Sequence, residues 1–337
     1  MSLAKFLVRR LLLIIPVFFA VTFMTFFISH VVVPNPVLAW GGEKSSAATL
    51  AAIAAQYHLK DPIYLQYYYY MSGLFTGNWG ISPVTHLPVL QQIETYLPAT
   101  VELSTAALIL SVVIGIPIGV LSALWKGKKR DYPLRVLYLS GIASPPFLLA
   151  LVLQLVFGYY LRILPSSGRL YAGQVAPTHI TGIYTLDSLL TGNWVDFQSA
   201  ATHLILPATA LALLTFSIIT RITRTSMLDA LDKDFVRTAK SKGLSKQVVT
   251  YRHALRNALT STVTVIGYAV QLLLSGTIVV ETVFFWPGIG EYATTSILAL
   301  DFPSIMGITV VFTLIVVFTN LITDIAYGVL DPRVRLE

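Results

Sequence analysis

The chain has 337 residues, 55% of them apolar and only 12% charged, with a net charge of +7 and a mean hydropathy of +0.73. Soluble domains carry about 25% charged residues, so this chain cannot clothe itself in polar surface and has no length to spare for a large soluble domain. It has no cysteine, which excludes disulfides, thiolate metal sites and cysteine nucleophiles.

A helix needs about 20 mostly apolar residues to cross the hydrocarbon core, and six segments qualify. The first covers residues 11–33. Its cationic start resembles a secretory signal, but the apolar run is too long and no small-residue cleavage site follows cleanly, so it reads as a retained helix. An outer loop over 34–97 follows, with a helical stretch at 47–57. A tyrosine-rich stretch at 61–70 comes next, where Asp61 can cap and Pro62 fits the first turn. Its aromatic face suits the headgroup layer; a docking or sugar-stacking surface is the alternative.

The second span, 101–125, holds Pro117 between Gly115 and Gly119. The third, 136–161, is broken by Pro145 and Pro146. A second outer loop over 162–203 is rich in Gly, Ser and Thr. Its Thr191-Gly192-Asn193-Trp194 repeats Thr76-Gly77-Asn78-Trp79, too short a match to count as an internal repeat. The fourth span, 204–220, contains Pro207 and a polar end reaching Met227. The fifth is 259–280. A short outer segment, 281–301, makes a tight turn at Trp286-Pro287-Gly288, and the sixth span covers 304–328. Prolines and glycines in spans permit bends and close helix approach.

Of the 23 Lys and Arg residues, only Lys44, Lys60, Arg162 and Arg169 lie on the outer side of this scheme. The N-terminal tail (Lys5, Arg9, Arg10), the loops after the second and fourth spans, and the C-terminal tail hold the rest. The positive-inside rule then places both termini in the cytoplasm. Topology thus accounts for the basic pI of about 9.5, with no need of nucleic acid.

The six histidines (His30, His58, His86, His179, His203, His253) show no metal-ligand spacing. Glu102, Glu281 and Asp324 lie near span ends, where structural pairing or snorkelling explains them. No series of acids crosses the middle of a span, which argues against a proton- or sodium-coupled carrier. The chain has no G-x-x-x-x-G-K-[ST] phosphate loop, no G-x-S-x-G elbow, no H-E-x-x-H pair and no dinucleotide fingerprint. It is therefore read as a non-enzyme that draws any energy for uphill transport from a partner.

The most cationic loop follows the fourth span. Within it Leu231, Phe235, Ala239 and Gly243 recur every four residues and so share one helical face. Asp232 and Asp234 sit at the helix start, where the macrodipole favours anions, and Gly243 suits a left-handed C-terminal cap. Such a capped helix can lie in a groove on another protein; a basic linker held by anionic lipid fits the same spacing equally well.

The run from Asp234 to Ser245, continued by Arg252-His253-Ala254-Leu255-Arg256-Asn257-Ala258-Leu259, resembles the signature loop of ABC-importer permeases. It is most similar to the B-type permease subunit of dipeptide and oligopeptide importers. Leu97-Pro98-Ala99-Thr100-Val101-Glu102-Leu103, Val280-Glu281-Thr282-Val283-Phe284 with Trp286-Pro287-Gly288, and Asp331-Pro332-Arg333-Val334-Arg335 extend the likeness over nearly the whole chain. Where the wider permease motif has Glu-Ala-Ala, this chain has Arg237-Thr238-Ala239. His253-Ala254-Leu255-Arg256 replaces the usual Ile-x-Leu-Pro ending, as in the peptide subfamily. The second outer loop departs most from the family.

The resemblance implies an all-α integral membrane protein with six transmembrane helices in a type I ABC-importer permease bundle. It divides the chain into a first helix with a large extracytoplasmic loop (1–97), a five-helix core with a coupling helix near 230–245 (98–330), and a cytoplasmic tail (331–337). It implies a second homologous permease, two cytoplasmic ATPases that bind the ATP and Mg, and an extracytoplasmic solute-binding protein. The residues it places against the ATPase are Asp234, Phe235, Arg237, Thr238, Ala239, Lys240, Lys242, Gly243 and Leu244, with Phe235, Ala239 and Gly243 seating the helix. Peptides are the implied substrates; oligosaccharides or nickel are the alternatives within the subfamily, and a secondary carrier or passive channel the alternative outside it.

Overall fold

A computed structural model describes residues 3–32, 36–41 and 45–330. The Asp331–Arg335 motif and the side chains of Lys5, Arg9, Arg10 and Asp324 lie outside the described residues. In chain order the helices are α1 (Leu3–Phe27), α2 (Pro36–Gly41), α3 (Ala47–Gln56), α4 (Ile63–Thr76), α5 (Val89–Leu124), α6 (Asp131–Ala143), α7 (Pro146–Leu153), α8 (Tyr184–Leu190), α9 (Trp194–Leu231), α10 (Asp234–Ser241), α11 (Arg256–Phe284), α12 (Ile289–Leu298) and α13 (Phe302–Leu330). Wider π-helical turns extend α1 to Val32, α7 to Tyr160, and lead into α11 from Val248.

Among the described residues, five helices are long and apolar enough to cross a membrane: Leu12–Val31, Val89–Leu124, Trp194–Leu231, Val248–Phe284 and Phe302–Thr323. The expected third span is instead a pair, Asp131–Ala143 and Pro146–Tyr160, bent by 112°. The cause is local. Ser144 is extended ahead of Pro145, and neither proline can donate a backbone hydrogen bond to continue the helix. Counting the pair as one crossing makes six.

The chain forms two compact units that alternate along the sequence. Among the described residues, one unit falls within 101–286, 1–7 and 319–337, and the other within 8–100 and 287–318. The first boundary falls within α5, and 287–318 belongs with the N-terminal unit.

In the unit around 101–286, α9 is central. It contacts α6, α7, α8 and α11, and these contacts depend on small residues. A Cβ on Gly119 would stand 2.7 Å from Thr223, and one on Gly141 would stand 2.7 Å from the Leu213 carbonyl. Ser111 Oγ and Thr215 Oγ1 lie 2.7 Å apart across the α5–α9 contact. Hydroxyls and glycines here replace bulky side chains, so the backbones approach closely.

In the unit around 8–100, α1 packs its Phe26 into a cluster with Trp40 and Met306, flanked by Ile53, Tyr57, Tyr67 and Tyr70. The tyrosine-rich helix starts at Ile63, with Pro62 as its cap residue making no side-chain cap bond. Asp61 instead pairs with His58 at 3.0 Å. Tyr67 and Tyr70 face α1, with Tyr67 Oη 3.2 Å from Thr22 Oγ1, while Tyr64 and Tyr68 are exposed. The helix is amphipathic, as its pattern suggests, with two of its rings used for packing. Ser82 and Ser304 both donate to the buried Asp301 carboxylate, tying the turn after α4 to the start of α13.

Three helices are additional to the expected ones: α2, α8 and α12. The segment 281–301 contains α12, which begins after Phe285 turns left-handed (φ 49°) and whose Ile289 N–H donates to Thr100 Oγ1 at 2.7 Å. The segment between α7 and α9 contains α8, and α2 lies ahead of α3. All three are ten residues or shorter, too short for apolar-run counting to register.

Candidate coupling site and outer clasp

The loop after α9 folds as a short capped helix. The chain leaves α9 at Asp232 and re-enters a helix after Lys233. Asp234 opens α10 and Lys240 lies in its last turn, both matched to the macrodipole. Gly243 has φ +73°. Its N–H donates to the Lys240 carbonyl at 3.0 Å, and the Leu244 N–H to the Ala239 carbonyl at 3.3 Å. These are the two closing bonds of a Schellman ending.

The helical phase differs from the expected one. Leu231 belongs to α9, and the turn at Asp232 and Lys233 resets the register. The inward residues are Val236 and Ala239, 0% and 5% exposed. They pack with Val120 and Ala123 of α5, Met227 and Ala230 of α9, Val249 before α11, and Ala254 and Ala258. Burying a valine side chain contributes about 1.5–3 kcal/mol, so this face fastens α10 to its own bundle. Ala239 is therefore occupied from within, whereas Phe235, Arg237, Thr238, Lys240, Lys242, Gly243 and Leu244 are exposed. The Arg237–Asp234 pair, at 3.4 Å and on the surface, adds little.

A second polar cluster braces the bundle ends that hold α10. Ser122 donates to Asp131 Oδ1 at 2.6 Å, and Arg224 donates to Ser122 Oγ at 2.9 Å and to Asp131 Oδ2 at 3.0 Å. Arg135 lies 3.3 Å from the same oxygen. This links α5, α6 and α9 through one fully buried carboxylate. Neither Ser122 nor Arg224 stood out in sequence, because no local motif pairs residues about a hundred positions apart.

The segment between α7 and α9 is held by a buried clasp. Glu102 of α5 pairs with Arg169 at 2.5 Å, and both are almost fully buried. The other Glu102 oxygen accepts from the Thr185 N–H at 2.8 Å and from its hydroxyl at 2.7 Å. The Arg169 guanidinium also donates to the Gly182 carbonyl at 3.1 Å and lies 3.5 Å from the Tyr184 ring centre. Structural pairing, expected for Glu102, is what its surroundings show.

Asp187 completes the loop. Its carboxylate accepts from the N–H groups of Ile180, Thr181 and Gly182 and from the Thr181 hydroxyl. Burial pushes its pKa up, but the Thr181 hydroxyl and the three backbone donors outweigh that and hold it below the ordinary value of 3.8. A depressed folded pKa stabilises above the unfolded value, and that contribution is lost as pH falls through the folded one. The thermal-unfolding midpoint of Asp187→Ala should therefore lie below that of the parent by a constant margin above pH ~5, shrinking in more acid solution. A margin independent of pH would show that the carboxylate charge contributes nothing.

Among the described residues no group of three or more His, Asp or Glu could hold a metal ion.

Comparison with known proteins places the chain in a family. The family model for the binding-protein-dependent transport system inner membrane component matches residues 115–336, and the model for the N-terminal part of such components matches 3–104. The chain is 43% identical over 311 residues to the probable D,D-dipeptide transport system permease protein DdpB of Escherichia coli K12, covering 92% of each chain. It is 39% identical over 327 residues to the dipeptide transport system permease protein DppB of Alkalihalophilus pseudofirmus, covering 97% of this chain and 98% of the relative. It is 34% identical over 334 residues to the oligopeptide transport system permease protein AppB of Bacillus subtilis 168, covering 99% and 100%.

Proposed function

Since the chain belongs to the family of inner membrane components of binding-protein-dependent transport systems, we infer that it is the multi-pass permease subunit of an ATP-driven importer of dipeptides and short oligopeptides. Nearly full-length identity to permeases named for dipeptide and oligopeptide transport carries this reading. The oligosaccharide and nickel alternatives have no counterpart among these relatives, and a carrier or channel that works without ATP has none either.

In this reading the chain pairs with a second, homologous permease as a heterodimer. Two cytoplasmic ATPases bind ATP and Mg, and an external solute-binding protein delivers the peptide. Both termini and α10 lie on the cytoplasmic side. The exposed face of α10, with Phe235, Arg237, Thr238, Lys240, Lys242 and Leu244 beside Asp234, enters a groove on the ATPase. Val236 and Ala239 carry its displacement into α5, α9 and α11, and Gly243 holds the helix end. This moves Ala239 from the ATPase contact to the transmitting face, because its methyl is already buried within this chain. The bundles then rock to alternate access.

Reconstitution in proteoliposomes tests the reading. Dipeptide uptake should require ATP, the ATPases and the solute-binding protein together. Uptake that persists without nucleotide and without the ATPases would replace it with the carrier or channel.

A further inference from the structure

Apolar side chains cover the exposed faces of α1 (Leu12, Leu13, Ile15, Phe19, Phe23, Met24) and of α6 and α7 (Val136, Leu137, Leu139, Phe147, Leu148, Leu151). Hydrocarbon suits these faces. The span α11 differs: beyond its first turn the exposed positions are Ser261, Thr264, Tyr268, Ser275 and Thr282, with Val279 the one aliphatic exception. Their spacing puts them on one side of the helix.

Near the middle of that side stands an amide pair. Gln271 Nε2 donates to Asn320 Oδ1 of α13 at 2.5 Å. The approach that allows it is built by Gly267, one turn earlier, where a Cβ would stand 2.1 Å from Thr323 of α13. Asn320 is exposed and Gln271 half-buried. Pairing two primary amides consumes one donor hydrogen and one acceptor oxygen. The Gln271 Oε1 oxygen and three N–H hydrogens, one on Gln271 and two on Asn320, remain for a third partner. Lipid tails offer no hydrogen bond to either group, and leaving them unsatisfied in hydrocarbon is costly.

A peptide bond has the complementary pattern, one N–H and one C=O on a planar unit, whatever the side chains beside it. We propose that the Gln271–Asn320 pair is a station in the translocation pathway that reads the backbone of a passing peptide. Its remaining oxygen accepts from a substrate N–H and its remaining N–H groups donate to the substrate carbonyl. The proposal rests on the permease reading and adds to it a recognition element indifferent to side chains, which suits a route for peptides of varied sequence.

The test uses the whole importer in proteoliposomes and compares uptake of Ala-Ala with its N-methylated analogue, which lacks the peptide N–H. The solute-binding protein's own preference enters every importer variant equally, so the change in the uptake ratio between variants isolates the permease. The ratio should fall about threefold to tenfold from the parent to Gln271→Met, the loss of roughly one neutral hydrogen bond. It should return towards the parent value in Gln271→Glu, which keeps the acceptor. An unchanged ratio in Gln271→Met, with ATP hydrolysis still stimulated by loaded binding protein, would overturn the station and leave the pair as helix-to-helix glue. Gln271→Leu gives the same comparison if the Met variant does not assemble. Absence of ATP-dependent uptake in the parent importer would overturn the permease reading and the station with it.

Discussion

Substituting Phe235→Asp together with Leu244→Ser is expected to abolish the stimulation of ATP hydrolysis by loaded binding protein while leaving the chain folded and inserted. Both side chains are substantially exposed, 39% and 40%, and support no contact in the internal core that holds α10. Removing an aromatic anchor from an interface costs at least about 2 kcal/mol when it is a hot spot. With tenfold in affinity per 1.4 kcal/mol, stimulation should fall at least tenfold. Ala239→Asp should also uncouple, but by another route. It buries a carboxylate beside Val120, Met227 and Ala254, so a lower unfolding midpoint accompanies the loss. Gly243→Val should lie between the two, since a left-handed valine costs about 1–2 kcal/mol in a site where its side chain meets nothing within 4 Å. ATP hydrolysis measured in proteoliposomes, with melting curves of the same preparations, separates these cases. Full stimulation in the Phe235→Asp/Leu244→Ser chain would show that the ATPase grips another surface.

The largest effect on stability is expected at the outer clasp. Arg169→Leu strips the buried Glu102 carboxyl of its cationic partner, with only Thr185 left to satisfy it. Breaking one side of a buried ion pair typically costs about 3–5 kcal/mol, which corresponds to a fall in unfolding midpoint on the order of 10 °C. Replacing both residues with leucine removes the stranded charge and should recover most of the loss. Thermal unfolding in detergent measures all three chains. A double variant as unstable as the single one would mean that Arg169 acts through its contacts with Tyr184 and Gly182, not through the ion pair.

Much of this organisation was legible in the amino-acid order. Long apolar runs give spans, and paired prolines interrupt a helix wherever they fall, so the break at Ser144–Pro146 was visible, although not its 112° angle. Gly243 was legible as a helix stop because only a residue free of a Cβ enters the left-handed region at little cost. The inward face of α10 was not legible. Four residues spaced by four define one face only along a continuous helix, and the turn at Asp232 and Lys233 broke that continuity between Leu231 and Phe235. The beginnings of α5 at Val89 and of α9 at Trp194 were also missed, because polar residues extend these helices past their apolar parts.

Sequence alone determined that this chain lives in a bilayer and which family its loops resemble, since the first follows from composition and long apolar runs and the second from contiguous motifs. Only the tertiary structure decided which partner each buried polar group has. Glu102 with Arg169, Asp131 with Arg224, and Gln271 with Asn320 are each separated by dozens of residues. Pairings of that kind arise from how helices cross, a three-dimensional arrangement that local residue patterns do not encode.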